Sequence, residues 1–451
     1  MNATASRRPL RPHREVSTVI AALLLTALAA PPNVVLIISD DQAWTDYGFM
    51  GHPAIETPHL DRLAATSVCY PRGYVPDSLC RPSLVTIVTG HYPHRHGIVG
   101  NDPPVPEGLW SGKGPKPYRN PAYVSIRDRY VDKVDRLDTM ADMLGRLGYA
   151  SHQSGKWWEG HFSRGGFTEG MTHGDRTRGG RHGDEGLTIG REGMDPVFDF
   201  IDRQVAAEKP FHVYYAPFLP HSPHNPPERL LAKYRRPNRP LPITKYYAMC
   251  DWFDETCGQL LDKLDSAGVA DNTVVLYVCD NGWIQRPDSP KFAARSKRSP
   301  YEGGIRTPIM VRAPGVQPRV DQTPVSSIDL VPTMLAAIGE PVPDDLPGVN
   351  LLDESAVDER EAIFGEIFEH DVQDMDDPVA SLRRRWVVAG GWKLIVPYEP
   401  RLSKESIELF HLELDPQEAT ELSADRPEKV AELQALLDAW WSPEPLTASR
   451  E

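Results

Sequence analysis

Short apolar runs alternate with amphipathic stretches along most of the chain. Three of these runs, at residues 34–39, 211–216 and 273–279, are apolar at successive positions rather than at every second one. This pattern is typical of strands that are covered on both faces. It predicts an α/β fold with a large mixed, mostly parallel sheet that is flanked by helices on both faces.

Helix and loop signals stand between the apolar runs. Thr57 and Pro58 supply a cap and a first residue for one helix. A second helix is indicated by apolar residues at helical spacing before Gly148: Met140, Met143, Leu144 and Leu147. The segment 103–127 is rich in Pro and Gly, and the segment 159–193 is rich in Gly, Arg, His and Asp. We predict that both are long loops that leave the sheet and select the substrate.

The pattern changes after about residue 352. Short apolar runs at 362–368, 385–388, 393–396 and 408–412 predict strands, and a helix is predicted over 428–440. We therefore divide the mature chain into a larger α/β domain at 31–355 and a smaller C-terminal α+β domain at 356–451.

The composition is that of a folded globular protein. Of 451 residues, 40% are hydrophobic and 25% are charged, which disfavours both a membrane bundle and a disordered chain. The formal charge of −14 argues against nucleic acid as a partner, because phosphate binding needs clustered Lys and Arg in surplus. Five cysteines are too few and too irregularly spaced for a disulfide scaffold.

The first 30 residues have the order of a signal peptide. Arginines come before an apolar run at 16–30 that ends in small residues. A structural helix or a membrane anchor is the alternative, but the run is shorter than the ~20 apolar residues that a span requires. We predict export with cleavage, a periplasmic or secreted location, and no stable membrane anchor afterwards. The choice between the Sec and twin-arginine routes stays open.

Oxygen-bearing side chains directly follow two of the predicted strands. Asp40 and Asp41 come after the first apolar run, and Asp280 and Asn281 come after the third. Sites in an open α/β sheet collect at the carboxyl ends of its strands. If the two strands are neighbours, these oxygens form a set suited to Ca²⁺, with Mg²⁺ less favoured. Each pair taken alone is more typical of a turn or a helix cap.

Cys80 stands where a helix is predicted to begin. Pro82 suits the first turn of that helix, where backbone N–H groups stabilise negative charge. A cysteine at such a position can act as a thiolate nucleophile, whereas a small buried residue is the alternative interpretation.

Around Cys80 the sequence resembles the sulfatase family, whose hallmark is Cys-x-Pro-Ser-Arg followed by a Leu-Thr-Gly type element. Cys80-Arg81-Pro82-Ser83 and Thr89-Gly90 match this hallmark. Further matches follow in the family's order along nearly the whole mature chain: residues 33–41, Gly155-Lys156-Trp157, Pro220-His221-Ser222-Pro223, Asp280-Asn281-Gly282, Lys297, Tyr301-Glu302-Gly303-Gly304-Ile305-Arg306 and Glu408-Leu409-Phe410-His411-Leu412.

The resemblance implies a role for each matching residue. Cys80 is the position that a formylglycine-generating enzyme converts to formylglycine during maturation. Lys156 and Lys297 resemble paired lysines that neutralise charge on the sulfate group and on the leaving oxygen. His221 matches the histidine that protonates the departing alcohol. The residues at the two strand ends match the calcium ligands: Asp40, Asp41, Asp280 and Asn281.

Polar residues outside these motifs are our candidates for substrate binding. They are His96, Asn101, His161, Arg181 and His182. His96 belongs to a histidine cluster with His91 and His94. Because that cluster lacks a carboxylate, we favour hydrogen bonding or substrate contact for it over zinc.

Two positions depart from the family pattern. Leu84 stands where the family has the arginine of its modification motif, and Trp158 stands where a typical member has a histidine that assists sulfate release. Our candidates for groups that take over these roles are Arg81, Arg95, His96 and His161.

Three functions remain open on the sequence alone. We favour hydrolysis of a sulfate ester, on a carbohydrate, because an exported enzyme with long polar loops suits a sulfated glycan. Hydrolysis of a phosphodiester or a phosphonate monoester, which related proteins perform, is the second hypothesis. A catalytically impaired homologue that binds glycan is the third, because of Leu84 and Trp158.

Overall fold

Residues 1, 30–114 and 116–443 are described by the computed structural model of the protein. The signal peptide predicted at 1–30 lies, apart from its two end residues, outside the described part of the chain and stays a prediction. Over the described residues, no helix combines the length and the apolar character that crossing a membrane requires.

A mixed sheet runs through the larger part of the molecule. Across the described residues it contains nine strands: β1 (Asn33–Ser39), β2 (Val68–Tyr74), β3 (Ala150–Gly155), β4 (Glu169–Gly170), β5 (Phe211–Ala216), β6 (Thr273–Cys279), β7 (Arg306–Arg312), β8 (Arg319–Val320) and β9 (Val325–Ser326). Their order is β4-β3-β5-β1-β6-β7-β2-β8, and β9 also pairs with β2. The strands from β4 to β6 are parallel, whereas β7 is antiparallel to both β6 and β2.

Helices connect the strands and continue into the C-terminal part. They are α1 (Pro58–Ala65), α2 (Cys80–Thr89), α3 (Pro93–His96), α4 (Pro121–Val131), α5 (Met140–Arg146), α6 (Asp195–Ala206), α7 (Glu228–Tyr234), α8 (Leu241–Ser266), α9 (Glu302–Ile305), α10 (Leu330–Ala337), α11 (Glu354–Asp358), α12 (Glu399–Leu402) and α13 (Pro427–Trp440).

Both faces of the sheet are buried, as the successive apolar positions predict. Along β1, Val34 and Leu36 pack into one cluster with residues of α2, α5 and α10, and Val35 and Ile37 pack into another with residues of α1, α6 and α8. Since neighbouring side chains of a strand point to opposite faces, a strand between two helical layers is apolar throughout. The predicted fold class is confirmed.

A second sheet lies in the C-terminal part of the chain. Its strands are β10 (Ile363–Phe368), β11 (Leu382–Ala389), β12 (Trp392–Pro397) and β13 (Glu408–His411), and each is antiparallel to the next. Leu433 and Leu437 of α13 cover one face against residues of β11, β12 and β13. The predicted strands are all present, with ends that differ by one to three residues. The domain boundary at 355/356 stays a prediction.

Three local features differ from the sequence prediction. The predicted loop at 159–193 returns to the sheet, because it contains β4, which pairs with β3. Thr57 precedes α1, but its hydroxyl donates to Asp61 Oδ1 and accepts from the backbone N–H of Gly48, so it caps no N–H group of α1. The predicted loop at 103–127 ends early, because α4 begins at Pro121 after the side chain of Asn120 accepts a hydrogen bond from the helix.

A buried ion cluster joins the two sheets. Lys393 of β12 is 0% exposed, and its Nζ lies 3.1 Å from Glu302 Oε1 and 2.8 Å from Glu418 Oε1. We expect Lys393→Met to lower the free energy of unfolding by about 3 to 5 kcal/mol, because it leaves the buried carboxylate of Glu418 without its cation and leaves Glu302 with Arg306 alone. Urea denaturation measures the change.

The matched control for this variant is Lys429→Met. Lys429 forms a more exposed pair with Glu432 on α13, at 2.6 Å. Exposed pairs contribute about 0 to 1 kcal/mol. Equal effects of the two substitutions would contradict a role for the buried cluster in joining the sheets.

Candidate active site

The predicted metal ligands meet at the carboxyl ends of two adjacent strands. β1 and β6 are parallel neighbours in register, with Ser39 opposite Cys279, so the residues that follow each strand come together. Asn281 Nδ2 donates to Asp41 Oδ1 at 2.7 Å, and the backbone N–H of Asp41 donates to Asp280 Oδ1 at 3.1 Å.

Buried oxygen atoms of this cluster have no hydrogen-bond donor. Asp40 Oδ2, Asp41 Oδ2 and Asn281 Oδ1 are all buried and lack a hydrogen-bond partner among the described residues. Buried polar atoms are normally satisfied, so three unsatisfied oxygens in one place fit the ligands of a cation. Carboxylate and amide oxygens are the ligands that Ca²⁺ prefers. The residues therefore fit a calcium ion.

The charges in the cluster perturb the carboxylates. Burial, followed by the charge of Asp40, raises the pKa of Asp280 to about 7. Burial also favours a higher pKa for Asp41, but Lys297 and then His221 outweigh it and lower this pKa to about 2. Crowded carboxylates destabilise one another, and a bound cation relieves that repulsion.

The two predicted lysines reach into the cluster from separate loops. Lys156 follows β3, and its Nζ lies 2.7 Å from Asp40 Oδ1 and 3.2 Å from Asp280 Oδ2. Lys297 donates to Asp41 Oδ1, and its Nζ also lies 2.9 Å from Cys80 Sγ. Both ammonium groups are buried and paired with carboxylates, so neither is a solvated surface lysine.

Cys80 is the first residue of α2 and is 2% exposed. Burial raises the pKa of its thiol, against the lowering effect of Lys156 and Lys297. As a plain cysteine it is therefore a poor thiolate, because the thiolate and not the thiol is the nucleophile. The same position, next to an ammonium group and the positive end of a helix, suits an oxygen that becomes negative.

His221 approaches the cluster from the loop after β5. Its Nδ1 lies 2.6 Å from the carbonyl oxygen of Ser222, and its Nε2 lies 3.4 Å from Asp41 Oδ2. The carbonyl can only accept, so Nδ1 carries the proton of the neutral ring, and Nε2, beside the cluster, is the atom that takes up a second proton. Burial lowers the pKa of His221 to about 3, although Asp41 acts in the opposite direction.

A cavity of about 330 Å³ opens over Cys80. Predicted residues that line it are Asp41, Cys80, Asn101, Arg181, His182, His221 and Lys297. It thus includes three of the five residues that we predicted to bind substrate. Asn101 is fixed by accepting a hydrogen bond from the backbone N–H of Arg81 at 3.0 Å, and Arg181 Nε donates to Asp102 Oδ1 at 2.8 Å.

The sequence analysis missed several residues that line the same cavity. They are Trp283, Phe292, Arg298 and His370. His370 follows β10, and its Nδ1 lies 2.6 Å from Asp371 Oδ1. The signal for it in the sequence is the polar pair His370-Asp371, which closely follows the apolar run at 362–368. Trp158, noted above only as a departure from the family, also lines the cavity.

The structure does not bring His96 and His161 to this cavity. His96 is buried, its Nε2 lies 3.1 Å from Thr86 Oγ1, and its Nδ1 accepts from the backbone N–H of Ile98. His161 is exposed and bonds Ser163 within its own turn. Each ring is engaged locally, so the geometry gives no support to a substrate contact.

The other groups expected to replace the missing family residues do not line the cavity either. Arg81 is buried in an ion pair with Glu159, with Nε 2.7 Å from Oε1. Arg95 is exposed and does not line the cavity. The basic groups that do line it beside Trp158 are Arg181 and His182, whose guanidinium and ring lie 4.7 and 4.5 Å from the Trp158 ring.

Comparisons with known proteins agree with this geometry. The family model "Sulfatase" matches residues 32–340, and the model "N-sulphoglucosamine sulphohydrolase, C-terminal" matches residues 292–440. N-acetylgalactosamine-6-sulfatase of Canis lupus familiaris is 30% identical over 74% of this chain and 68% of that protein. Arylsulfatase A of Homo sapiens is 27% identical over 73% of this chain and 68% of that protein.

A solved structure of the same fold covers nearly the whole chain. The crystal structure of Ps i-CgsB in complex with k-i-k-neocarrahexaose aligns with a TM-score of 0.70 and 22% identity, over 93% of this chain and 95% of that one. The first family model alone spans more than half of the sequence. The chain therefore belongs to the sulfatase family of sulfuric ester hydrolases.

Proposed function

We propose that the protein hydrolyses a sulfate ester on a carbohydrate, with a formylglycine formed from Cys80 and a calcium ion held by Asp40, Asp41, Asp280 and Asn281. One observation carries the proposal. Unsatisfied buried oxygens and two buried ammonium groups form one cluster, and Asp41 and Lys297 of that cluster line the cavity together with Cys80, the first residue of α2.

Calcium and formylglycine each contribute a defined chemistry to the proposed reaction. When bound, calcium supplies positive charge that polarises sulfate oxygens and favours an ionised nucleophile. Formylglycine supplies, as its hydrate, a hydroxyl nucleophile in place of the buried thiol. Cys80 is almost fully buried, so its conversion belongs before folding is complete, with a formylglycine-generating enzyme as the maturation partner.

The side chains around the cavity stabilise negative charge and donate a proton. Lys297 lies against the side chain at position 80 and stabilises negative charge there. Lys156 holds Asp40 and Asp280 in place and brings a second positive charge to the sulfate group. His221 is fixed through Nδ1, so Nε2 is the atom that delivers a proton to the departing alcohol.

A carbohydrate is the proposed carrier of the sulfate. The relatives are named for sulfated amino sugars and for aryl sulfates, and the cavity here combines flat aromatic rings with polar groups. Trp158, Trp283 and Phe292 offer faces for a sugar ring, while Asn101 and His370 offer hydrogen bonds. The signal peptide predicted at 1–30 adds the proposal that the enzyme is periplasmic or secreted and acts on extracellular glycan.

A second candidate function is glycan binding without turnover. It is favoured by Leu84, which is buried in the core with no polar group to offer, and by Trp158 in place of a histidine. Mass analysis of the peptide containing Cys80, from a host that carries the modifying enzyme, separates the two. We expect the aldehyde, whereas a thiol would favour binding alone.

An assay panel tests the proposed reaction class. Galactose 6-sulfate, N-acetylgalactosamine 6-sulfate, 4-nitrophenyl sulfate, a phosphodiester and a phosphonate monoester are compared under identical conditions with calcium present. We expect the largest kcat/KM among the sulfated sugars. The largest value for the phosphodiester or the phosphonate would contradict the proposal in favour of the related hydrolase chemistry.

A further inference from the structure

A second cavity, of about 630 Å³, adjoins the first. Arg181 and His182 line both cavities, so the two spaces share a wall. The second one lies between the segments 118–127 and 176–182, which belong to the two Pro/Gly-rich and Gly/Arg-rich stretches of the sequence. Its lining is strongly basic.

Arg127 is the most informative residue of this second cavity. It is only 8% exposed, and no carboxylate among the described residues lies within ion-pair distance of it. Within the described part of the chain, its side chain makes one hydrogen bond, from Nη2 to the carbonyl oxygen of Gly180 at 2.9 Å. Burial lowers the pKa of Arg127 to about 10. The charges of Arg81 and Arg181 act in the same direction, and those of Glu159 and Asp102 oppose them without reversing the shift. A buried cation without a contacting counter-charge is costly.

Other groups in the cavity add to the positive charge and to its shape. Arg119 is exposed at the rim and forms no ion pair with the described residues, whereas Arg176 pairs with Asp128. Tyr118 is 41% exposed and lies 5.2 Å from the Arg181 guanidinium. The cavity thus combines unpaired arginines with a flat aromatic face.

We propose that this second cavity binds an anionic group, sulfate or carboxylate, on the sugar next to the one that carries the sulfate being hydrolysed. The anion supplies the counter-charge that Arg127 lacks, and Tyr118 packs against the neighbouring ring. The inference rests on the proposed function and narrows its substrate to an oligosaccharide with more than one anionic group.

Calorimetric titration of the Cys80→Ala protein tests the proposal, because bound ligand stays intact. Sucrose octasulfate carries many anionic groups on two rings, and galactose 6-sulfate carries one on a single ring. We expect Arg127→Gln, added to that background, to weaken sucrose octasulfate binding by about 10- to 100-fold, the effect of losing a charged hydrogen bond. Binding of galactose 6-sulfate should change by less than about threefold, since that ligand does not reach Arg127.

Arg146→Gln is the matched control, since Arg146 is an arginine that lines neither cavity and pairs with Asp138 at the surface. It should leave both ligands unaffected. Equal weakening of both ligands by Arg127→Gln would mean a structural role, and unchanged sucrose octasulfate binding would mean that the cavity takes no anion. Either result overturns the proposal.

A second variant covers the case in which Arg127→Gln does not fold. Arg119→Gln at the exposed rim should weaken sucrose octasulfate binding by about threefold and leave galactose 6-sulfate unchanged, as for an exposed charge. No effect of Arg119→Gln on either ligand counts against the proposal. Binding needs no formylglycine, so these titrations test the anion site independently of the proposed reaction. The proposed reaction is contradicted if the wild-type protein hydrolyses no sulfate ester.

Discussion

Replacing Cys80 with alanine should reduce sulfate ester hydrolysis by at least about 10⁴-fold, because the nucleophile is lost and binding groups alone give little rate. The fold should persist. Cys80 is one small side chain at the start of α2. Lys297 loses its contact with Cys80 in the variant but keeps its ion pair with Asp41. Initial rates on the best sulfated sugar and a thermal melt of each protein measure the two effects.

Cys69→Ala provides the matched control. Cys69 is equally buried in β2 but lies in the hydrophobic cluster on the opposite side of the sheet from Cys80. We expect this change to cost about 1 kcal/mol of stability and to leave kcat near the wild-type value. Turnover that survives in Cys80→Ala would remove Cys80 from the mechanism, whatever the effect of Cys69→Ala.

The sheet and the centre of the site could be predicted from the sequence because their signals are local. A buried strand such as β1 is marked by its own apolar residues, and oxygen ligands directly follow it. Parallel neighbours end at the same edge, so Asp40 and Asp280 had to meet once β1 and β6 were adjacent. Cys80 at the start of α2 follows from Pro82 in the same way.

The walls of the cavity could not be predicted because they depend on pairings between distant segments. His370 reaches the site since Asn101 N–H donates to the His370 carbonyl oxygen at 2.9 Å, a contact between a loop and the C-terminal part. Arg81 is unavailable since it pairs with Glu159. His96 ends the histidine cluster of His91 and His94, yet its ring bonds Thr86 and the backbone N–H of Ile98. Spacing along the chain indicates none of these partners.

Calcium should stabilise the protein, and Asp40→Asn should abolish that stabilisation together with activity. Asp40 Oδ2 is a buried oxygen without a hydrogen-bond donor, while Oδ1 pairs with Lys156, so the amide keeps the volume but loses the charge that holds a cation. A ligand present at 1,000 times its Kd stabilises the folded state by about 4 kcal/mol. Thermal melts with calcium and with a chelator measure the shift, and chelation should also suppress turnover.

Asp254→Asn separates loss of a metal ligand from loss of a buried carboxylate. Asp254 is buried, but it accepts hydrogen bonds from the backbone N–H groups of His59 and Leu60 at the start of α1, at 3.1 and 2.7 Å. The Tm of the Asp254→Asn protein can differ from that of the wild type. The increase in Tm on adding calcium should be the same in both proteins, because the oxygens at the strand ends are unchanged. Two results would contradict a calcium site at the unsatisfied oxygens. One is a wild-type Tm that does not change with calcium, and the other is a calcium-dependent increase in Tm that is as large in Asp40→Asn as in Asp254→Asn.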